Sequence, residues 1–176
     1  MQYGFYFDEG RCIQCRTCEL ACKSAHNLEP GIQWRRVIET WNGYYPNISR
    51  TFLSLSCMHC ENPPCIPACP TGAISKQVEN GIVLVDRAKC NGCKECLQAC
   101  PYDVPQFDKD GIMQMCDYCT GISSSPVCTI SCPAEALLYG KLEDLTELAG
   151  SRGKSIKHID KGTKPSIVVV NGIIRE

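Results

Sequence analysis

The feature that most constrains this chain is its sixteen cysteines, which fall into four groups of four with none left over. Groups one and three share the spacing C-x2-C-x2-C-x3-C. Group two reads C-x2-C-x4-C-x3-C, and group four reads C-x2-C-x8-C-x3-C. In chain order the groups are Cys12, Cys15, Cys18 and Cys22; Cys57, Cys60, Cys65 and Cys69; Cys90, Cys93, Cys96 and Cys100; and Cys116, Cys119, Cys128 and Cys132.

This spacing indicates iron–sulfur clusters. The run C-x2-C-x2-C-x3-C followed by proline is typical of bacterial two-cluster ferredoxins, in which the fourth cysteine ligates the other cluster of the pair. Proline follows the last cysteine of groups two, three and four, whereas Lys23 follows Cys22. The longer second gaps of groups two and four extend a loop but keep the ligand count. We therefore expect four [4Fe–4S] clusters in two duplicated ferredoxin-like modules.

Other uses of the cysteines fit less well. Disulfides are typical of exported domains, and the N-terminus has neither the positive nor the apolar region of a signal peptide. Zinc sites combine two separated pairs and often include histidine. A c-type haem needs C-x-x-C-H, but Glu61 follows Cys60. We expect the three histidines to be solvated or hydrogen-bonded rather than ligands: His26, His59 and His158.

Charge sets a second requirement on the chain. The formal net charge is −1, so nothing indicates a nucleic-acid partner. A helix that spans a bilayer needs about twenty apolar residues, and the sequence contains no such run. Four clusters with their thiolates add a charge of about −8. Lysines, arginines and backbone N–H groups must offset it. Lys23, Lys89 and Lys94, beside cluster cysteines, either tune the potentials or are ordinary solvated lysines.

The rest of the pattern predicts an α+β fold of short elements. Strands are expected over residues 4–7, 52–55, 81–85 and 166–170, and a helix over residues 142–149. Asn42-Gly43 and Asp110-Gly111 predict hairpin turns. An aromatic insert precedes group two and serves either as a docking surface or as a cover that keeps water from the clusters; it contains Trp34, Trp41, Tyr44 and Tyr45.

Several short segments give the sequence a resemblance to one family. They are residues 2–5, 18–23, 56–61, 100–102, 139–140 and 164–168. With the order of the groups, the insert and the tail, they resemble the four-cluster electron-transfer subunits of the dimethyl sulfoxide reductase family of molybdenum and tungsten oxidoreductases. The resemblance implies one module from residues 1–22 and 101–140, a second from residues 57–100, an inserted hairpin region at residues 23–56 and a C-terminal tail at residues 141–176.

The resemblance also implies how the cysteines are shared. Each cluster takes three cysteines from one group and the last cysteine of the partner group. Spacing alone also permits group one to pair with group two and group three with group four. Because Cys96 is present, we expect four irons at its site. The implied thiol sets are set A, Cys12, Cys15, Cys18 and Cys132; set B, Cys116, Cys119, Cys128 and Cys22; set C, Cys57, Cys60, Cys65 and Cys100; and set D, Cys90, Cys93, Cys96 and Cys69.

The function implied by the resemblance is electron transfer without catalysis. The expected partners are a large molybdopterin or tungstopterin catalytic subunit and a membrane anchor linked to quinone, or another redox subunit. Such a subunit would be soluble or peripheral on the membrane, either cytoplasmic or exported with its catalytic partner. The alternatives are a polyferredoxin serving a hydrogenase, a carbon monoxide dehydrogenase or a soluble tungsten aldehyde oxidoreductase, and a metal-stabilised interaction module.

Overall fold

The computed structural model describes residues 1–171, so the last five residues of the predicted tail lie outside the described part. Short strands and helices alternate with long loops, in agreement with the predicted α+β class. The strands are β1 Tyr3–Asp8, β2 Arg36–Asn42, β3 Ser49–Leu55, β4 Ile74–Lys76, β5 Val83–Val85, β6 Gln106–Phe107, β7 Met113–Gln114, β8 Leu137–Lys141, β9 Ile156–Lys157 and β10 Ile167–Val170. The helices are α1 Thr17–Ala25, α2 Glu95–Ala99, α3 Val127–Ile130 and α4 Leu142–Ser151.

A four-stranded sheet in the order β8-β1-β10-β9 joins the two ends of the chain. Strand β1 pairs antiparallel with β8 and parallel with β10. It is covered on both faces, which explains its nearly unbroken apolar sequence. Phe5 and Phe7 pack among cysteines on one face. Tyr6 packs on the other face against Leu145 and Ala149 of α4, the predicted C-terminal helix.

Gly4 allows β1 to approach β10 closely. A Cβ atom at this position would lie 2.3 Å from the backbone carbonyl oxygen of Ser166. That oxygen accepts a 3.0 Å hydrogen bond from the N–H of Phe5. Only glycine can therefore occupy this position without pushing the two strands apart.

Three two-stranded hairpins link successive cysteine groups: β2–β3, β4–β5 and β6–β7. The hairpins predicted at Asn42-Gly43 and Asp110-Gly111 are present. Asn42 is the last residue of β2 and Gly43 begins the loop to β3, and Asp110-Gly111 lies between β6 and β7. The strand predicted over residues 52–55 begins earlier, at Ser49, and the one predicted over residues 81–85 begins later, at Val83. The loop from 43 to 48 is longer than a two-residue turn.

The repeat in the cysteine spacing is also present in the backbone. Arg16 and Lys94 occupy equivalent places in groups one and three, and both adopt a left-handed conformation, with φ of 59° and 65°. A helix starts directly after each of them: α1 contains Cys18 and Cys22, and α2 contains Cys96. Sequences with the same spacing therefore fold the same way locally, as expected for duplicated units.

Candidate metal centres

Twelve of the cysteine side chains face three separate cavities, four to each cavity. In every cavity three of the thiols belong to one cysteine group and the fourth is the last cysteine of another group. The cavities are lined by Cys57, Cys60, Cys65 and Cys100; by Cys12, Cys15, Cys18 and Cys132; and by Cys69, Cys90, Cys93 and Cys96.

The remaining four thiols are buried together where α1 packs against α3. Helix α1 provides Cys22, and α3 provides Cys128. Cys22 has Cys128 and Cys119 as electrostatic neighbours, and Cys116 has Cys128 and Cys22. The last cysteine of group one thus lies beside the cysteines of group four, although nearly a hundred positions separate them in the sequence.

Hydrogen-bond donors point at several of the sulfur atoms. The backbone N–H of Met113 donates to Cys90 Sγ at 3.4 Å, and that of Val127 donates to Cys119 Sγ at 3.4 Å. The Thr17 hydroxyl donates to Cys15 Sγ at 3.3 Å. Such donors stabilise the charged form of a sulfur ligand. Exposed Cys15 accordingly has a lowered thiol pKa, caused first by the Thr17 hydroxyl.

Most of the other thiols lie in surroundings that oppose ionisation. Burial raises the pKa of Cys22 and of Cys65 to about 12, and that of Cys96 to about 11. Without a metal these groups would be protonated at neutral pH, whereas coordination to a metal deprotonates a thiol outright. Four sets of four sulfur donors, with neighbouring N–H and hydroxyl groups, fit the ligand requirement of [4Fe–4S] clusters.

Comparison with known proteins agrees with this donor chemistry. The 4Fe-4S dicluster domain family matches residues 48–142, and the 4Fe-4S binding domain family matches residues 9–25. The B subunit of the anaerobic dimethyl sulfoxide reductase of Escherichia coli K12 is 39% identical over 96% of this chain and 88% of its own length. This protein belongs to the iron–sulfur subunits of the dimethyl sulfoxide reductase family.

Other relatives of this iron–sulfur subunit are subunits of different enzymes. The formate dehydrogenase iron-sulfur subunit of Wolinella succinogenes is 36% identical over 84% of this chain and 86% of its own length. The thiosulfate reductase electron transfer subunit PhsB of Salmonella typhi is 38% identical over 81% of this chain and 78% of its own length. The predictions of iron–sulfur cofactors and of electron transfer rather than catalysis are thereby confirmed. No helix within residues 1–171 is long and apolar enough to cross a membrane.

The lysines singled out from the sequence make ordinary contacts in the iron–sulfur subunit. Lys23 donates to the backbone carbonyls of residues 29 and 32, at 2.8 and 3.1 Å. Exposed Lys89 pairs with Asp86 at 3.2 Å. Lys94 is exposed as well and lies over the ring of Phe107. Their charges are in or near solvent and therefore act weakly on a buried site.

One functional residue was not predicted from the sequence: Arg35 is a buried cation, only 2% exposed. Arg35 is followed directly by a second arginine, and adjacent arginines are typical of solvated segments. Arg35 and Val37 both point inwards, whereas the side chain of Arg36 reaches the carbonyl oxygens of Tyr102 and Asp103. Alternate residues of an extended chain face the same side, so the apolar residue Val37 was the available signal that Arg35 also points inwards. An arginine is not expected on the inward side, and this hides the pattern.

The histidines and aromatic residues of the iron–sulfur subunit divide between interior and surface. His59 is fully buried, accepts a 2.9 Å hydrogen bond from the N–H of Val83 and lies 3.9 Å, ring to ring, from Tyr118. His26 Nε2 lies 3.4 Å from Cys119 Sγ, and its ring lies against Trp34. Three other aromatic residues of the insert are exposed: Trp41, Tyr44 and Tyr45.

Proposed function

We propose that this iron–sulfur subunit holds four [4Fe–4S] clusters, one in each of the thiol sets A, B, C and D. The observation that carries the proposal is the division of the cysteines into four spatial sets, each drawn from two sequence groups. When bound, the clusters supply one-electron redox chemistry. The chain provides ligands, hydrogen bonds to sulfur and burial.

We assign these sets to two ferredoxin-like modules. Sets A and B form a module from residues 1–22 and 101–140, and sets C and D form a module from residues 57–100. The proposal is supported by the packing of α1 on α3 and by the electrostatic contact of Cys65 in set C with Cys96 in set D. Residues 23–56 then form an insert between the modules, built around the β2–β3 hairpin.

The sets are proposed to lie in the order A, B, C and D along the electron route. Tyr118 supports the central step, because it neighbours Cys116 of set B and Cys57 of set C. The exposure of individual cysteines supports the placement of sets A and D at the two ends of the row. Cys15 in set A and Cys93 in set D are exposed, while every cysteine of set B is buried. Electrons can therefore enter and leave the subunit at sets A and D.

The proposed partners are a molybdopterin or tungstopterin catalytic subunit and a quinone-linked membrane anchor or another redox subunit. This part rests on the names of the relatives, which are subunits of dimethyl sulfoxide reductase, formate dehydrogenase and thiosulfate reductase. Because those enzymes act on different substrates, the catalytic partner sets the substrate. The iron–sulfur subunit would then be a peripheral part of the complex.

Anaerobic purification of the tagged subunit from its native source tests the proposal. We expect about sixteen irons and as many sulfides per chain, from four four-iron clusters. Electron paramagnetic resonance should detect reducible clusters, and mass spectrometry should detect a large pterin-containing protein in the same fraction. Zinc in place of iron, or disulfides between the cysteines, would refute the cluster assignment. A complete set of clusters without a pterin partner would refute only the partner assignment.

A further inference from the structure

Arg35 is a fully buried cation whose direct partners are all neutral. Its Nη1 donates to Ser54 Oγ at 3.0 Å, and its Nη2 donates to Ser56 Oγ at 2.9 Å. The guanidinium carbon lies 4.2 Å from the centre of the Phe5 ring. Its Nε has no hydrogen-bond partner among the residues that the structure describes. Among residues 1–171 no carboxylate forms a salt bridge with it.

A buried charge without a counter-charge is strongly unfavourable, so negative charge must come from another source. The ionisable groups that face Arg35 include thiols of sets A and B, together with the buried side chains of His59 and Tyr118. Burial lowers the pKa of Arg35, but the thiolate charges of Cys128 and Cys116, followed by Cys18 and Cys22, outweigh it and raise the pKa overall. Those sulfurs are anionic once they coordinate a metal.

One arm of the guanidinium also reaches a ligand through a hydroxyl group. Ser54 Oγ accepts the hydrogen bond from Arg35 and lies 3.7 Å from Cys18 Sγ. A guanidinium can only donate hydrogen bonds. The Ser54 proton is therefore free to point at the sulfur, and a metal-bound thiolate has no proton to offer in return. Arg35 thus orients a donor toward set A.

We propose that Arg35 is the buried counter-ion of sets A and B and a positioning residue for Ser54, and that it raises the reduction potentials of the clusters held there. One-electron reduction adds negative charge to a cluster, and a fixed neighbouring cation stabilises the reduced state more than the oxidised state. Hydrogen bonds to a ligand sulfur act in the same direction. This inference rests on the proposed function, in which both sets bind clusters.

The test compares midpoint potentials of single clusters in the anaerobically purified complex. The signals of sets A and B are first identified with the Cys15→Ala and Cys119→Ala variants. Arg35→Met removes the charge but keeps much of the side-chain length. We expect it to shift the reduction equilibria of sets A and B at least tenfold toward the oxidised form, which is about 59 mV for a one-electron couple.

Three further variants separate the causes. Ser54→Ala should lower the potential of set A alone, because Arg35 keeps its charge. Arg35→Lys should retain most of the wild-type potential at set B, where charge acts directly. Arg50→Met is the matched control: it removes one charge from the hairpin that directly follows Arg35, but the Arg50 side chain is 50% exposed and pairs with Glu39. Solvent screening should make its shifts much smaller.

Each outcome decides the inference. Unchanged potentials of sets A and B in Arg35→Met overturn it, as do equal shifts in Arg35→Met and Arg50→Met. Loss of the set A and set B signals, with sets C and D intact, supports it. If Arg35→Met yields no assembled complex, Ser54→Ala decides, and an unchanged set A potential overturns the inference. A wild-type protein without reducible clusters would instead refute the proposed function.

Discussion

The sharing of cysteines between groups can be tested with two alanine substitutions. Cys132 lines the cavity that also contains Cys12, Cys15 and Cys18, whereas Cys22 neighbours Cys128 and Cys119. Ligation within one sequence group would connect the same residues in the opposite way. We therefore expect Cys132→Ala to damage the cluster of set A and Cys22→Ala to damage the cluster of set B.

The size of the effect follows from the separate thiol sets. Each variant removes one of the four sulfur donors of one set and leaves the twelve donors of the other three sets in place. A damaged site loses either one iron or its whole cluster, so the iron content should fall from about sixteen to between about fifteen and about twelve per chain. Signals from the three untouched sets should remain.

The assay compares resonance spectra of these variants with two reference variants. Cys15→Ala and Cys119→Ala each remove a thiol whose set is the same in both ligation schemes. Cys132→Ala should match the first reference, and Cys22→Ala should match the second. If Cys132→Ala instead matches Cys119→Ala and Cys22→Ala matches Cys15→Ala, each group binds its own cluster, and our sets are refuted. If Cys22→Ala instead matches Cys60→Ala, group one pairs with group two.

Three further predictions concern stability. Leu145→Ala removes a buried side chain with which α4 packs on the central sheet, and it should lower the free energy of unfolding by about 2–5 kcal/mol. The measurement is the temperature at which the clusters bleach, and Leu20→Ala, at an exposed position, is the control that should change little. Gly4→Ala should destabilise the folded protein by about 1–3 kcal/mol, because the added methyl group overpacks the contact between β1 and β10. The control Gly150→Ala should not destabilise it, because a Cβ atom there meets no atom within 4 Å. Equal effects of the two substitutions would refute the close approach of β1 and β10. Removal of iron with a chelator should abolish most circular dichroism from secondary structure, because cluster binding and folding are coupled; an unchanged spectrum would contradict this.

Local features were the part of the fold that the sequence could predict. Groups one and three share one cysteine spacing, and they also share one local backbone, a left-handed residue followed by a helix, which depends on only a few neighbouring residues. The two hairpin turns are also local, since glycine supplies the positive φ at Gly43 and Gly111. Such features depend little on the rest of the chain.

The parts that could not be predicted depend on contacts between distant segments. The parallel pairing of β1 with β10 joins residues more than 160 positions apart, and nothing in either strand specifies its partner. The burial of Arg35 likewise depends on Ser54, Ser56 and thiols from two cysteine groups. Two adjacent arginines are typical of a surface segment, and only the folded structure brings the two serines and the thiols next to Arg35.

The cysteine spacing itself separates two structural tasks. The second gap varies among two, four and eight residues, whereas the last gap is three residues in all four groups. In the proposed sets the third and fourth cysteines of a group serve neighbouring clusters. Cys18 and Cys22 both lie in α1, four residues apart, which corresponds to a rise of about 6 Å along a helix. A constant last gap therefore fixes the separation of neighbouring sets, on which electron transfer depends, while the variable gap only changes a loop around a single cavity.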